Sequence, residues 1–200
     1  MLRTALLALL LLLPRLQADD VTDWIDEARK AWLEGKGDLA AQNLDYAAQL
    51  IRQAKGEKLE AALPEPIAGW KKTDSGSSAA GAAMLGGATA ASASFEKSEG
   101  EVYSSCDISI TTDSPMLSAL MMSFANPMLM GASGQKLIKV GSNKASMDYD
   151  AENRSGTINV VVAQRVLVSV NGSGLAEEEL RAFAAAVKYD VIDKVLQGQQ

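Results

Sequence analysis

The sequence predicts an α+β protein with an N-terminal helical hairpin, followed by an antiparallel sheet with two packed helices. Helical periodicity of the apolar residues covers the segment before Pro64. From Trp70 onward, apolar and polar residues mostly alternate, and short turn sequences separate the alternating segments in pairs. Hairpin-linked strands interrupted by a few separate helices are typical of an antiparallel sheet with helices packed against it.

The N-terminus predicts export. Arg3 precedes an apolar run of nine residues, 5–13, and Pro14 ends that run. This order is typical of a secretory signal peptide, and the run is shorter than the roughly 20 residues of a membrane span. We therefore expect residues 1–18 to be a signal peptide. The mature chain would begin near Asp19, would have no stable membrane span and would be periplasmic or secreted.

Residues 19–63 predict a helical hairpin. Gly35 and Gly37 interrupt the helical pattern, and Asp38 is placed to cap the second helix. The hairpin resembles one tetratricopeptide-type unit, and since no second copy follows, we expect it to dock on the rest of the chain or on a partner. The predicted facing residues are Trp24, Ala28, Ala31 and Trp32 in the first helix, and Ala40, Ala41, Leu44, Ala47, Ala48, Ile51 and Ala54 in the second.

Residues 64–69 predict a proline-containing linker, and residues 70–200 predict the α+β domain. Within the domain, Pro115 predicts a helix over 115–125, because proline is favoured at the first helical position. A glutamate-rich first turn predicts one long final helix over 175–196. We expect a loop over 75–87, with a helical turn near 79–85, and strands over 69–74, 88–97, 101–112, 135–141, 145–151, 157–163 and 166–171.

The segments Pro64-Glu65-Pro66…Gly69-Trp70 and Asp113-Ser114-Pro115-Met116, with the order of elements after Trp70, carry a family resemblance. The chain resembles small uncharacterised exported bacterial proteins with a PsbP-like α+β domain. PsbP-like proteins are extrinsic photosystem proteins. The resemblance implies an accessory or binding role and names no active residue.

Composition excludes several classes of function. The chain has 25 acidic and 19 basic residues, a net charge of −6, which becomes −8 if Arg3 and Arg15 leave with the signal peptide. An acidic chain without basic clusters is not expected to bind nucleic acid. Histidine is absent, which excludes histidine-based triads and histidine-ligated zinc or haem. The single cysteine, Cys106, lies on the apolar side of an alternating segment, so we expect it to be buried; the alternatives are a reactive thiol or an intermolecular bridge.

A methionine-rich segment at 116–130 is the most distinctive motif. Three hypotheses account for it: core packing of a helix, an exposed contact patch for a partner or lipid, or a soft-metal site, since thioethers select Cu(I). The candidate metal ligands are Met116, Met121, Met122, Met128 and Met130.

Two other patterns depart from the motifs they resemble. Asp148, Asp150 and Glu152 begin like a calcium-binding loop, but Asn153 stands where that loop needs glycine. Ser94 and Lys97 have the spacing of a serine–lysine pair, but Ser94 lies in a strand pattern.

The sequence therefore predicts an exported, non-enzymatic binding or accessory protein with a protein partner or small ligand and no cofactor. Two alternatives stay open: a periplasmic Cu(I)-binding protein, or an enzyme that uses carboxylates.

Overall fold

The computed structural model describes residues 13–78, 90–100, 102–112, 114–125 and 134–198. It confirms the α+β class, with an N-terminal pair of packed helices and a seven-stranded antiparallel sheet. The chain divides into two compact units, Met1–Ala54 and Lys55–Gln200. We call them the N-terminal unit and the sheet unit. Among the described residues, no helix is both long and apolar enough to cross a membrane.

The N-terminal unit contains helix α1, Leu13–Leu33, and most of helix α2, Gly37–Glu60. A tight turn joins them, in which Gly35 takes a φ of 76° and the amide of Lys36 donates to the carbonyl of Ala31 at 2.9 Å. Small side chains fill the space between the two helices, which permits close approach. The buried residues are Ala28, Ala31, Ala40, Asn43 and Ala47.

The predicted set of facing residues in the hairpin is wrong in part. Asn43, which was not predicted to face α1, is only 5% exposed, whereas Leu44 and Ile51 are each about half exposed. Trp32 is also exposed, while Trp24 packs against Tyr46 with ring centroids 4.9 Å apart. The contact between the helices is therefore made by small residues, and most of the large apolar side chains lie beside it.

The sheet unit is built from seven strands in the order β1-β2-β3-β7-β6-β5-β4, with every neighbouring pair antiparallel. Two runs of consecutive hairpins, β1 to β3 and β4 to β7, meet where β3 pairs with β7. The strands are β1 Lys71–Ser78, β2 Ala90–Glu99, β3 Val102–Thr112, β4 Lys136–Val140, β5 Asn143–Asp150, β6 Ser155–Val162 and β7 Val166–Ser173.

One face of the sheet carries the main hydrophobic core. Helix α4, Glu177–Ala186, packs on β6 and β7, and helix α5, Tyr189–Leu196, packs on β6. Alternate strand residues point into this core because the side-chain period of a strand is two. Fully buried members include Phe95, Cys106, Ile108, Ile110, Ile158, Val160, Val168, Val170, Leu180, Phe183 and Ile192.

The end of α2 and the segment after it belong to this core. Leu59, Ala62 and Leu63 are buried in the main cluster, and Pro64 is buried as well. The sheet unit therefore begins inside α2, at Lys55, and includes the whole of the predicted linker 64–69. The predicted hairpin segment 19–63 thus contributes to both units.

The other face of the sheet is mostly polar and carries short side chains. Three cross-strand hydrogen bonds connect them: Ser94 to Asp107 at 2.6 Å, Thr157 to Asn171 at 2.8 Å, and Ser169 to Asn159 at 2.6 Å. Helix α3, Pro115–Ala125, covers one end of this face. There it forms a second, smaller hydrophobic cluster with β6 and β7, made of Leu117, Leu120, Val161 and Leu167.

Most predicted elements are confirmed within a few residues. The prediction of a single final helix is wrong, because the chain extends at Val187 and divides it into α4 and α5. At this break the amide of Lys188 donates to the carbonyl of Ala62 at 2.9 Å, so a bond to the segment after α2 replaces a helical bond. Strand β1 also continues through residues 75–78, which were predicted to be loop, while the predicted helical turn at 79–85 lies outside the described residues.

Candidate ligand cleft beside helix α3

Helix α3 begins where the sequence predicts. Pro115 occupies the first helical position, and the amide of Met116 donates to the hydroxyl oxygen of Ser114 at 3.3 Å. Leu117 and Leu120 then lie on the sheet, against Val161 and Leu167. This packing fixes the helix over the ends of β6 and β7.

A cleft of about 410 Å³ lies between α3 and the end of the sheet. We call it the α3 cleft. Its apolar side combines the half-buried Met121 and Phe124 with the nearly buried Val161. Its polar side comes from the β4–β5 turn, the β6–β7 turn and the start of β5. The lining residues are Met121, Phe124, Ala125, Ser142, Asn143, Lys144, Val161, Ala163 and Gln164.

The β6–β7 turn that borders the cleft is strained. Ala163 and Gln164 both have positive φ, 49° and 57°, although neither is glycine. The amide of Arg165 donates to the carbonyl of Val162 at 3.1 Å, which closes the turn. Positive φ at both central residues is the pattern of a type I′ hairpin turn, and it costs non-glycine residues about 1–2 kcal/mol each. The turn therefore holds two cleft residues in a conformation that their own preferences oppose.

A larger depression, about 770 Å³, runs along α1 in the N-terminal unit. All of its lining residues come from this one helix except Glu34, which follows it directly, and most of them are charged. A ligand site normally encloses its ligand between several elements and has a largely apolar lining. The α3 cleft meets that description better, since one helix, two turns and two strands contribute to it.

The described methionines of the predicted metal set do not converge. Met116 and Met122 are 60% and 70% exposed, while Met121 lies in the cleft. At 3.6 residues per turn, these three positions point in directions roughly 100–140° apart around the helix. Met128 and Met130 lie outside the described residues, so a Cu(I) site that uses them stays a prediction. Leu117, Leu120, Met121 and Phe124 form the packed side of the helix, as the core-packing hypothesis expects.

Cys106 is fully buried in the main core, as predicted. Burial and, secondarily, the neighbouring Asp107 carboxylate raise the pKa of the Cys106 thiol to about 12. Since the thiolate is the reactive form, the folded protein holds this sulfur in its unreactive, protonated state.

The predicted acidic motif at 148–153 forms a hairpin end. The Asp150 carboxylate accepts hydrogen bonds from the amides of Glu152 and Asn153 and from the Asn153 side chain. These bonds lower the pKa of Asp150, with the Asn153 side chain as the main cause. Its oxygens therefore stabilise a turn. Within the described ranges, no group of three acidic or cysteine side chains is placed to hold a metal ion.

A polar cluster also lies at the edge of the main core. One carboxylate oxygen of Glu179 accepts hydrogen bonds from the Trp70 indole at 3.1 Å and the Lys97 ammonium at 3.0 Å. The other oxygen accepts one from the Ala176 amide at 3.1 Å, which caps α4. Each polar atom has a partner, so the cluster joins β2, α4 and the segment before β1.

This cluster should make stability depend on pH. Burial alone would raise the pKa of Glu179, but the bonds from Ala176, Lys97 and Trp70 outweigh it and lower that pKa below its usual value. A lowered folded-state pKa stabilises the protein above the unfolded-state pKa, and this stability is lost as the pH falls through the folded-state value. In urea titrations, we expect the deficit of Glu179→Gln relative to wild type to be largest above about pH 5 and to shrink in acid. Glu178→Gln, at an exposed neighbouring position, is the control; an identical pH profile for both variants would refute the prediction.

The N-terminal unit leaves many large apolar side chains exposed. A helical pair of this size has little core of its own, and such exposure is consistent with the predicted docking of the hairpin. That docking stays a prediction. The exposed residues are Trp24, Ile25, Trp32, Leu33, Leu39, Leu44, Tyr46 and Ile51.

Sequence reasoning missed the α3 cleft. It identified α3 and its methionines, but it treated Lys144 and Gln164 as ordinary turn residues. Lys139 and Lys144 are both visible in the sequence, but they are seen to flank a turn symmetrically only once the structure places that turn at Gly141 and Ser142. No family model, curated protein or solved structure matches the chain.

Proposed function

We propose that this protein is an exported, non-enzymatic binding or accessory protein whose sheet unit binds a small amphipathic ligand in the α3 cleft. The observation that carries the proposal is the composition of the cleft. Met121, Phe124 and Val161 offer an apolar surface, and Ser142, Asn143 and Gln164 offer hydrogen-bonding groups beside it. Small-molecule sites commonly combine an apolar lining with a few polar groups that orient the ligand.

The chemistry of the lining favours binding over catalysis. Lys144 is the single ionisable group among the cleft residues that the structure describes, and no carboxylate or thiol lines the cleft with it. General acid–base or nucleophilic catalysis needs such groups within hydrogen-bonding distance of one another. The proposal of export rests on the apolar run 5–13 and the charged residue before it.

The direct test is to fill the cleft. Ala125 lines it and is exposed at the end of α3, so Ala125→Trp should occupy its volume without disturbing Leu117 or Leu120. With N-phenyl-1-naphthylamine, a neutral fluorescent probe, we expect saturable binding to wild type and at least tenfold weaker binding to this variant.

The matched control is Ala119→Trp, at another exposed alanine of α3 that does not line the cleft. It should bind the probe as wild type does, which would show that the loss is not a general effect of an added tryptophan. Equal binding by Ala125→Trp and wild type, or no saturable binding by wild type, would contradict the proposal. Intact-mass measurement of the protein from its own source would test export, because the proposal requires a mature chain that begins near Asp19.

A further inference from the structure

The α3 cleft lies beside two lysines that the strand register places directly opposite each other. Lys144 pairs with Val161 of the cleft on one side and with Lys139 of β4 on the other. Directly opposed residues of an antiparallel pair project from the same face, with Cβ atoms about 4.5–5.5 Å apart. Both ammonium groups therefore project from the face that α3 partly covers.

Opposed like charges destabilise a sheet unless something neutralises them. Both lysines are exposed, and neither has an ion-pair partner in the part of the chain that the structure describes. Strand β4 contains no acidic residue, and α3 contains no charged residue at all. Along β5, the nearest acid beyond Lys144 is Asp148, about 13 Å away at the rise of a β-strand.

The end of the sheet that carries Lys139 and Lys144 is basic, whereas the chain as a whole is acidic, with a net charge of −6. Arg165, in the strained turn beside Gln164, adds a third cation to the same end of the sheet. A local excess of positive charge beside an apolar surface attracts anions and orients an amphipathic one.

We propose that the ligand of the α3 cleft is an apolar carboxylate, whose carboxylate group binds between Lys139 and Lys144 and whose hydrocarbon chain lies against Met121, Phe124 and Val161. This inference rests on the proposed function and names its ligand class. The anion relieves the repulsion between the two ammonium groups and forms charge-assisted hydrogen bonds with them. A volume of about 410 Å³ lies at the small end of ligand sites, which favours a chain of medium length.

The test is displacement of N-phenyl-1-naphthylamine from the full chain by three ten-carbon amphiphiles: decanoate, decanol and decyltrimethylammonium. For wild type, we expect decanoate to bind at least about tenfold more tightly than decanol, a difference equivalent to about 1.4 kcal/mol. The cationic amphiphile should bind most weakly. Added salt should reduce the advantage of decanoate, because screening weakens exposed charge pairs.

Substitutions of the lysines separate the contribution of the ligand's carboxylate group to the affinity from that of its hydrocarbon chain. The double substitution Lys139→Gln and Lys144→Gln should lower decanoate affinity to that of decanol and leave decanol affinity unchanged. Lys136→Gln is the control: Lys136 is an exposed lysine of the same strand, but it lies opposite Met147 and therefore projects toward the other face. It should bind decanoate as wild type does.

The possible failures are distinguishable. Equal affinity of wild type for decanoate and decanol, or unchanged decanoate affinity in the double variant, overturns the carboxylate assignment while the proposed function stands. Failure of wild type to bind the neutral probe overturns the proposed function and the assignment together. The double variant should keep or raise the melting temperature, since it removes a like-charge pair, and this confirms that any lost affinity does not arise from unfolding.

Discussion

Replacement of Phe183 by alanine should lower the free energy of unfolding by about 3–5 kcal/mol, the usual cost of removing a large aromatic side chain from a core. Phe183 is fully buried in α4 and joins two elements of the sheet unit. Its ring contacts Trp70 edge to face with centroids 5.0 Å apart, and Phe95 with centroids 4.9 Å apart. The variant would lose both aromatic contacts and leave a cavity at the centre of the main core. Urea denaturation monitored by circular dichroism measures this loss.

Phe124→Ala is the matched control for size and residue type. Phe124 is only partly buried and packs in the smaller cluster beside the α3 cleft. Its loss should cost about 1–2 kcal/mol, below the range for a fully buried side chain. Equal destabilisation by the two substitutions would show that the main core does not depend on Phe183 as we expect.

Gly174→Ala should destabilise the protein by more than the strain of its backbone conformation alone. Gly174 has a φ of 73°, and a Cβ added there would lie 2.5 Å from the carbonyl oxygen of Tyr103. That oxygen belongs to the backbone of β3, so it cannot move aside as a flexible side chain could. The hydroxyl of Ser104 also donates to the Gly174 carbonyl at 2.7 Å, which further fixes the position. We expect a loss of about 3 kcal/mol or more, the left-handed cost plus the clash.

Gly100→Ala isolates the conformational part of that cost. Gly100 has a similar φ of 64°, but an added Cβ would meet no atom within 4 Å. This variant should lose only about 1–2 kcal/mol. If Gly174→Ala lost no more than Gly100→Ala in the same denaturation experiment, the close approach to Tyr103 would be disproved.

The helices and hairpins with local signals could be predicted from the sequence. Pro115 and the serine before it fix the start of α3 through local geometry, so the predicted helix 115–125 agrees with the structure. The burial of Cys106 followed from the alternation in β3, because a period of two needs no knowledge of the partner strand.

Features that depend on distant residues could not be predicted in this way. The break between α4 and α5 coincides with a bond from Lys188 to Ala62, far away in the sequence, while the local sequence continues to favour helix. The hairpin contact was misplaced by one position, at Asn43 and Leu44, since periodicity alone favours the larger apolar residue. The α3 cleft required the order of strands in the sheet, which alternation does not specify.

The strand order also has a consequence for how the protein folds. Strands β1 to β3 and β4 to β7 each form from chain neighbours, and hairpins of this kind close in microseconds. The pairing of β3 with β7 instead joins residues roughly sixty positions apart, so the entropy of closing a long loop is lost before that contact stabilises anything. We therefore expect the two halves of the sheet to form early and the β3–β7 pairing to limit the rate of folding.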